Sequence, residues 1–256
     1  MFKSKGVLIF PVLLVAVSNG FAQPSQDEIY KKMQQREEEF LKKGAEYGQA
    51  GKYDEAIDAF NKAIELTSHN DNTYYNRGVA YEKKGDLNKA FSDYSKAIEL
   101  NHNHAEPYYN RALIYDKRGS LDQAISDYGN AIKINPNHAE AYNNRAYDYS
   151  VKGKLNEAIS DYDKALQIDP NHFIAYSSRG FAYFSKGDLG QAISDYSKAI
   201  EINPDYAQAY YNRAVAYLIK KDYDKSWTDA HKAESLGARI DPRFINDLKK
   251  ASGREK

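Results

Sequence analysis

Apolar and polar residues alternate with a helical period along most of this chain, and the pattern returns every 34 residues. In the block AEPYYNRALIYDKRGSLDQAISDYGNAIKINPNH, Tyr108, Ala112 and Tyr115 fall four and seven apart, on one face of a first helix. Gly119 is placed to end it, because glycine takes positive φ without a Cβ clash. Ala124, Tyr128, Ala131 and Ile132 form the apolar face of a second helix. Asn135-Pro136-Asn137 stops that one, since proline disfavours helical geometry in the residue before it. Six such blocks run without insertion: 37–70, 71–104, 105–138, 139–172, 173–206 and 207–240. A 22-residue leader, a helical lead-in over 23–36 and a tail over 241–256 complete the 256 residues, which leaves no room for a separate catalytic domain.

The ends carry helix signals of their own. Ser25-Gln26-Asp27-Glu28 reads as a capping box, with Ile29, Met33 and Phe40 continuing an apolar stripe, so the first helix starts before the first block. Asp241-Pro242 supplies an N-cap and a first-turn proline, and Phe244 and Leu248 follow as the face of a capping helix.

The recurring order is an aromatic, a small residue four on, Tyr three after that, then Ala, Tyr or Phe, Ala and a closing Pro. It resembles the tetratricopeptide repeat over 37–240. That resemblance implies an all-α fold: a right-handed α-solenoid of six tetratricopeptide helix pairs with a C-terminal capping helix and a concave groove. The end blocks depart from the pattern. Block one has Phe40 for Tyr and Ser68 for Pro; block six has Lys221 for the turn Gly, Ala238 for Pro, and Ser226 and Ala230 for Ala and Tyr. A finite stack is expected to vary where its terminal faces meet solvent or a cap.

One five-letter word marks five blocks: YYNRG at Tyr74, YYNRA at Tyr108, YNNRA at Tyr142, YSSRG at Tyr176 and YYNRA at Tyr210. The first Tyr and the fifth letter lie four apart on the face toward the partner helix, the aromatic supplying buried area and the small residue making room. The Arg column (Arg77, Arg111, Arg145, Arg179, Arg213) has an Asp sixteen residues on each time: Asp93, Asp127, Asp161, Asp195 and Asp229. Block one has neither, showing Lys43 and Ala59, so the two types come and go together. That predicts pairing between the two helices of one repeat, in preference to a row of arginines for an anionic partner.

Asn76, Asn110, Asn144 and Asn212, with Ser178 in the gap, point about 200° away from the core Tyr. The resemblance places this face in the groove, where Asn commonly bonds the backbone of an extended peptide; a carboxamide offers two donors and an acceptor for that purpose. The alternative is local bonding within the repeat. Tyr75 and Tyr109 stand beside the Asn, and Tyr147, Phe181 and Val215 continue its face three residues on. Blocks two and three put Glu82, Lys83, Asp116 and Lys117 on the inner rim. Blocks four to six put Tyr147, Val151, Ile174, Phe181, Phe184, Leu218 and Ile219 there, an apolar patch that invites a ligand or another copy. The basic clamp by which chaperone-associated members hold a C-terminal carboxylate is missing, its positions being Tyr75, Tyr109 and Glu106.

Composition narrows the function. Lys3 and Lys5, the apolar run Val7–Val17 and Gly20-Phe21-Ala22 have the layout of a cleaved signal peptide over 1–22. Export follows, with the periplasm as the expected compartment and secretion or an uncleaved N-terminal anchor as the alternatives; no later stretch could span a membrane. The remaining chain has 34 basic and 36 acidic residues and lacks the electrostatic footprint of a nucleic-acid binder. With no cysteine there is no disulfide framework, thiolate metal site, cysteine nucleophile or lipid-bearing cysteine. His104, His138 and His172 recur at the block junctions one per repeat and read as loop residues, not metal ligands. No phosphate loop, HExxH or GxSxG occurs. The expectation is a non-catalytic scaffold without cofactor or metal that binds an extended protein segment. The alternatives are self-assembly and an accessory role in an envelope enzyme complex.

Overall fold

The computed structural model describes residues 25–254; the expected signal segment over 1–22 lies outside them. Thirteen helices fill the described residues, and no strand occurs among them. The first repeat pairs α1 (Gln26–Gln49) with α2 (Tyr53–Leu66), and the second α3 (Asp71–Lys83) with α4 (Leu87–Leu100). Then come α5 (Ala105–Lys117) with α6 (Leu121–Ile134), and α7 (Ala139–Val151) with α8 (Leu155–Ile168). The last pairs are α9 (Phe173–Ser185) with α10 (Leu189–Ile202), and α11 (Ala207–Ile219) with α12 (Tyr223–Ser235). Each helix packs on its sequence neighbours, so the pairs stack into an α-solenoid closed by α13 (Pro242–Ser252).

Local chemistry sets the ends of these helices. Ser25 Oγ accepts from the Glu28 amide at 3.2 Å while the Glu28 carboxylate accepts from the Ser25 amide at 2.9 Å, a reciprocal cap that starts α1 early. Gly119 takes φ 71° at the α5–α6 turn. In the sixth repeat Lys221 occupies the same left-handed place at φ 64°, in spite of the Cβ clash glycine avoids. At the far end Asp241 caps α13 through the Arg243 amide, and Phe244 and Leu248 bury themselves against Ala214, Trp227 and Ala230.

The core corrects one sequence expectation. The leading Tyr of each word is only half-buried; the fully enclosed rings are Tyr94, Tyr128, Tyr162 and Tyr196 on the second helices. The small fifth letter makes room for those rings. A Cβ built at Gly78 would stand 2.8 Å from the Tyr94 ring, and one at Gly180 2.9 Å from Tyr196. A second helix is covered by its own partner and by the next repeat, whereas a first helix leaves one side toward the groove. Centrality follows from that difference in cover.

All five arginines pair as their column predicts. Arg111 Nε and Nη2 donate to Asp127 Oδ2 and Oδ1 at 2.7 and 2.9 Å, and Arg77, Arg145, Arg179 and Arg213 hold Asp93, Asp161, Asp195 and Asp229 in the same two-pronged way. Burial alone would pull each guanidinium's pKa down, and the facing carboxylate more than offsets it. The remaining nitrogen reaches back to the preceding repeat: Arg77 Nη1 to Asn61 at 2.7 Å, Arg111 to Ser95 at 3.2 Å, Arg179 to Asp163 at 2.6 Å and Arg213 to Ser197 at 2.8 Å. One side chain thus ties three helices. At the equivalent place before Arg145 stands Gly129, which has no side chain to offer. Gly129→Ser is expected to raise stability by about 1–2 kcal/mol, from helix propensity and a hydrogen bond to a charged group. Urea unfolding checks this, and an unchanged midpoint would show that Arg145 has no use for a third acceptor.

Candidate peptide groove

Successive first helices place their exposed residues on one shared face of the stack. Toward its C-terminal half α7, α9 and α11 enclose a pocket of about 300 Å³. Tyr147, Val151 and Phe181 form its apolar wall; Ser177, Ser178, Gln208 and Asn212 add polar groups, with Tyr162 and Tyr206 behind. Tyr147, Val151 and Phe181 are each more than half exposed, at 60%, 56% and 53%. Ile174 of α9 and Ile219 of α11 are also exposed, and Phe184 stacks on Phe181 at a centroid distance of 6.5 Å. Such a cluster of large apolar side chains is unusual on a free surface.

Five of the residues singled out from sequence therefore meet in one place: Tyr147, Val151, Ser178, Phe181 and Asn212. Gln208 Nε2 donates to Asn212 Oδ1 at 2.7 Å, which leaves the Asn212 amide group free to donate. Val215 is not in the pocket wall; it packs half-buried against the cluster under α13.

The N-terminal half differs. Asn76 is half-buried and has no side-chain hydrogen-bond partner among the described residues. Asn110 lies beside the Tyr75 and Tyr94 hydroxyls, and Asn144 Nδ2 donates to Tyr109 Oη at 3.3 Å while its Oδ1 accepts from Asn143 at 3.1 Å. Tyr75 and Tyr109 lie between repeats: Tyr75 packs on Tyr94 and His104, Tyr109 on Tyr128 and His138, with centroids 4.5–6.0 Å apart. Burial, followed by Glu140, pushes the Tyr109 hydroxyl up to about 12 against the opposing hydrogen bond from Asn144. The rim acids have structural work too. Glu82 accepts from Tyr94 Oη at 2.7 Å and Asp116 from Tyr128 Oη at 2.5 Å, giving each buried hydroxyl its acceptor.

The three junction histidines are the N-cap residues of α5, α7 and α9, not plain loop residues. His104 Nδ1 meets Asp71 at 2.7 Å, His138 lies buried between Glu106 and Glu140, and His172 accepts from the Ala175 amide at 3.3 Å. Among the described residues no three ligating side chains gather to hold a metal ion, and no helix is long and apolar enough to cross a membrane. A wider depression of about 430 Å³ beside the α11–α12 turn is lined by Lys220, Lys221, Asp222, Asp224 and Arg254. Three of its charges are already paired, Asp222 with Lys225 and Asp224 with Arg254, as on an ordinary solvated surface.

Sequence reading did not single out Ser177, Gln208 or Tyr206, because each differs from the residues it aligns with in the other blocks; Tyr206, for one, stands in the column of His104, His138 and His172. It also passed over Asp148, which is 1% exposed and lies where repeats 2, 3, 5 and 6 have Ala80, Ile114, Ala182 and Ala216, and the first has Glu46. The break in that column was readable by aligning the blocks.

A stack of helix pairs with one continuous inner face is the architecture of a repeat scaffold. A family model described as TPR repeat matches residues 44–85, 146–187 and 180–220, and models described as tetratricopeptide repeat match 72–104, 105–138 and 128–160. The chain belongs to the tetratricopeptide-repeat family. Among solved structures it is similar to MamA, at 30% identity and a TM-score of 0.59 over 64% of this chain and 96% of that one. It shares its fold with YrrB, described as a TPR protein with an unusual peptide-binding site, at 23% identity and a TM-score of 0.66 over 76% and 99%. PilF of Pseudomonas aeruginosa aligns at 14% identity and a TM-score of 0.69 over 87% and 99%. No curated protein matches the sequence. Family and neighbours together make the chain a protein-interaction scaffold.

Proposed function

We propose that the chain holds an extended segment of a partner protein along its inner face, with one bulky apolar side chain of that segment seated between Tyr147, Val151 and Phe181. The observation that carries this is the pocket itself: an apolar wall facing polar groups, the unpaired amide nitrogen of Asn212 among them. The apolar wall takes the side chain and the polar groups take the flanking peptide bonds. Farther along, Asn76, Asn110 and Asn144 continue the backbone contacts. YrrB, with its peptide-binding site, lends this reading the support of a shared fold. The chemistry belongs to whatever the segment comes from, and the expected export would place that partner in the cell envelope.

Peptide display on the purified chain tests the reading. Selected peptides are expected to share one aromatic or branched aliphatic residue. Tyr147→Ser with Phe181→Ser is expected to weaken them about 10- to 100-fold, the worth of one buried apolar side chain. Both positions are exposed, so the fold should survive the change. Equal binding by the double variant would move the site elsewhere. A double variant that binds no less but loses concentration-dependent self-association would assign the patch to a second copy of the chain.

A further inference from the structure

Four of the five joints between repeats are built alike, and the joint between repeats 3 and 4 is not. At every other joint an arginine of one repeat reaches a side chain of the repeat before it; Arg145 meets Gly129 and makes no such bond. The same joint also buries a carboxyl group. Asp148 stands on α7 where Ala80, Ile114, Ala182 and Ala216 pack against the preceding second helix. Across the joint it meets Asp116, at the end of α5, whose Oδ2 accepts from Tyr128 of α6. Asp116 Oδ1 and Asp148 Oδ2 are both buried with no hydrogen-bond partner. Two carboxyl groups with one orphan oxygen each satisfy one another by sharing a proton, whereas two ionised carboxylates would set like charges against each other in a buried place.

No cation relieves it. From α5, α6 and α8 the titratable groups acting at this point are Asp116, Tyr128 and Tyr162. Lys117 is directed to Glu82 at 4.0 Å and Lys152 to Asp122 at 2.5 Å. Burial, with the Asp116 charge and hydrogen bond adding to it, pushes the Asp148 carboxyl up to about 8 from 3.8. Burial also raises Tyr128 and Tyr162, so both stay protonated across the neutral range. At the other end of the joint His138 lies between Glu106 and Glu140.

We propose that the proton shared by Asp116 and Asp148 latches the joint between repeats 3 and 4, and that losing it lets the solenoid open there. The joint divides the polar half of the groove from the half that carries the pocket. The sign follows from which state holds the proton. Below about pH 3.8 both the closed and the opened joint hold it, and above about 8 neither does. Between those limits only the closed joint does, so opening releases a proton and grows by up to about tenfold per pH unit. The latch concerns the scaffold alone and stands whether or not the groove takes a peptide.

Hydrogen exchange of the whole chain at pH 6 and pH 8, corrected for intrinsic exchange, reads this directly, with α3–α4 and α9–α10 as internal references. Protection of α6 and α7 relative to the references is expected to fall at least about tenfold in the native chain. It should stay level in Asp148→Ala, which restores the residue of repeats 2, 5 and 6, and in Asp148→Asn, which keeps a donor to Asp116 at every pH. Both variants keep every other group of the joint, so an equal fall in them would assign the pH response elsewhere and overturn the latch. A fall spread evenly over all joints would overturn it too.

Discussion

Replacing Arg111 by leucine is expected to cost about 3–5 kcal/mol of stability, since a buried ion loses its partner. Asp127 is 6% exposed in its side chain and takes both of its hydrogen bonds from that guanidinium. Without it the carboxylate must stay charged and unpaired among Ala112, Ala124 and Tyr128, or take up a proton. Asp127→Leu should cost less, because the Arg111 side chain is 19% exposed and can turn toward water. It also keeps the faces of Tyr108 and Phe91 within 6.0 Å. The double leucine variant should recover much of the loss, since two apolar side chains can fill the place of a buried pair. Urea unfolding of the four proteins measures the coupling. Strictly additive losses would mean that the guanidinium and the carboxylate act independently, against the geometry.

This pairing was legible in the sequence because a two-pronged contact is useless with one partner. Arg and Asp therefore appear together in five blocks and vanish together in the first, where Lys43 and Ala59 stand. The third arm of each arginine was not legible. Its targets are Asn61, Ser95 and Asp163, then Ser197, a chemically mixed column whose common feature is only the ability to accept a hydrogen bond. The exception, Gly129, looks like ordinary drift until the joint is seen. Periodicity likewise put Tyr108 and Tyr128 on apolar faces but could not rank them, since rank depends on how many neighbouring helices cover each face. The groove was legible as an asymmetry, with Tyr147 and Phe181 on one half and Glu82 and Asp116 on the other. Its polar wall was not, because Ser177 and Gln208 become neighbours only through stacking. Asp148 was hidden by an assumption: in so charged a chain, an acid on a helix is read as a solvated one, and helical period alone does not show otherwise.

Removal of the Tyr128 ring is expected to divide the molecule. The side chain has no exposed surface and packs among Ala112, Ala124, Ala131, Ile132 and Ala141, so residues of its own repeat and of the next depend on it. Tyr128→Ala should cost about 3–5 kcal/mol in lost burial and cavity. Tyr128→Phe removes only the hydroxyl, leaving Asp116 without its 2.5 Å donor, at about 1–3 kcal/mol. The distribution of the loss matters more than its size. A solenoid couples each repeat only to its neighbours, so stability is a chain of local terms, and weakening the third repeat cuts the coupling between the first two and the last three. Calorimetry of Tyr128→Ala should then show two transitions, and that of the native chain one. The lower one should belong to α1–α4, over which the described residues place no separate capping helix, and the higher to α7–α13, which keep Phe244 and Leu248 over the last repeat. A single transition, merely shifted down, would mean that cooperativity extends across the gap. The joints themselves, with their arginine ties, would then carry more of the stability than the rings they enclose.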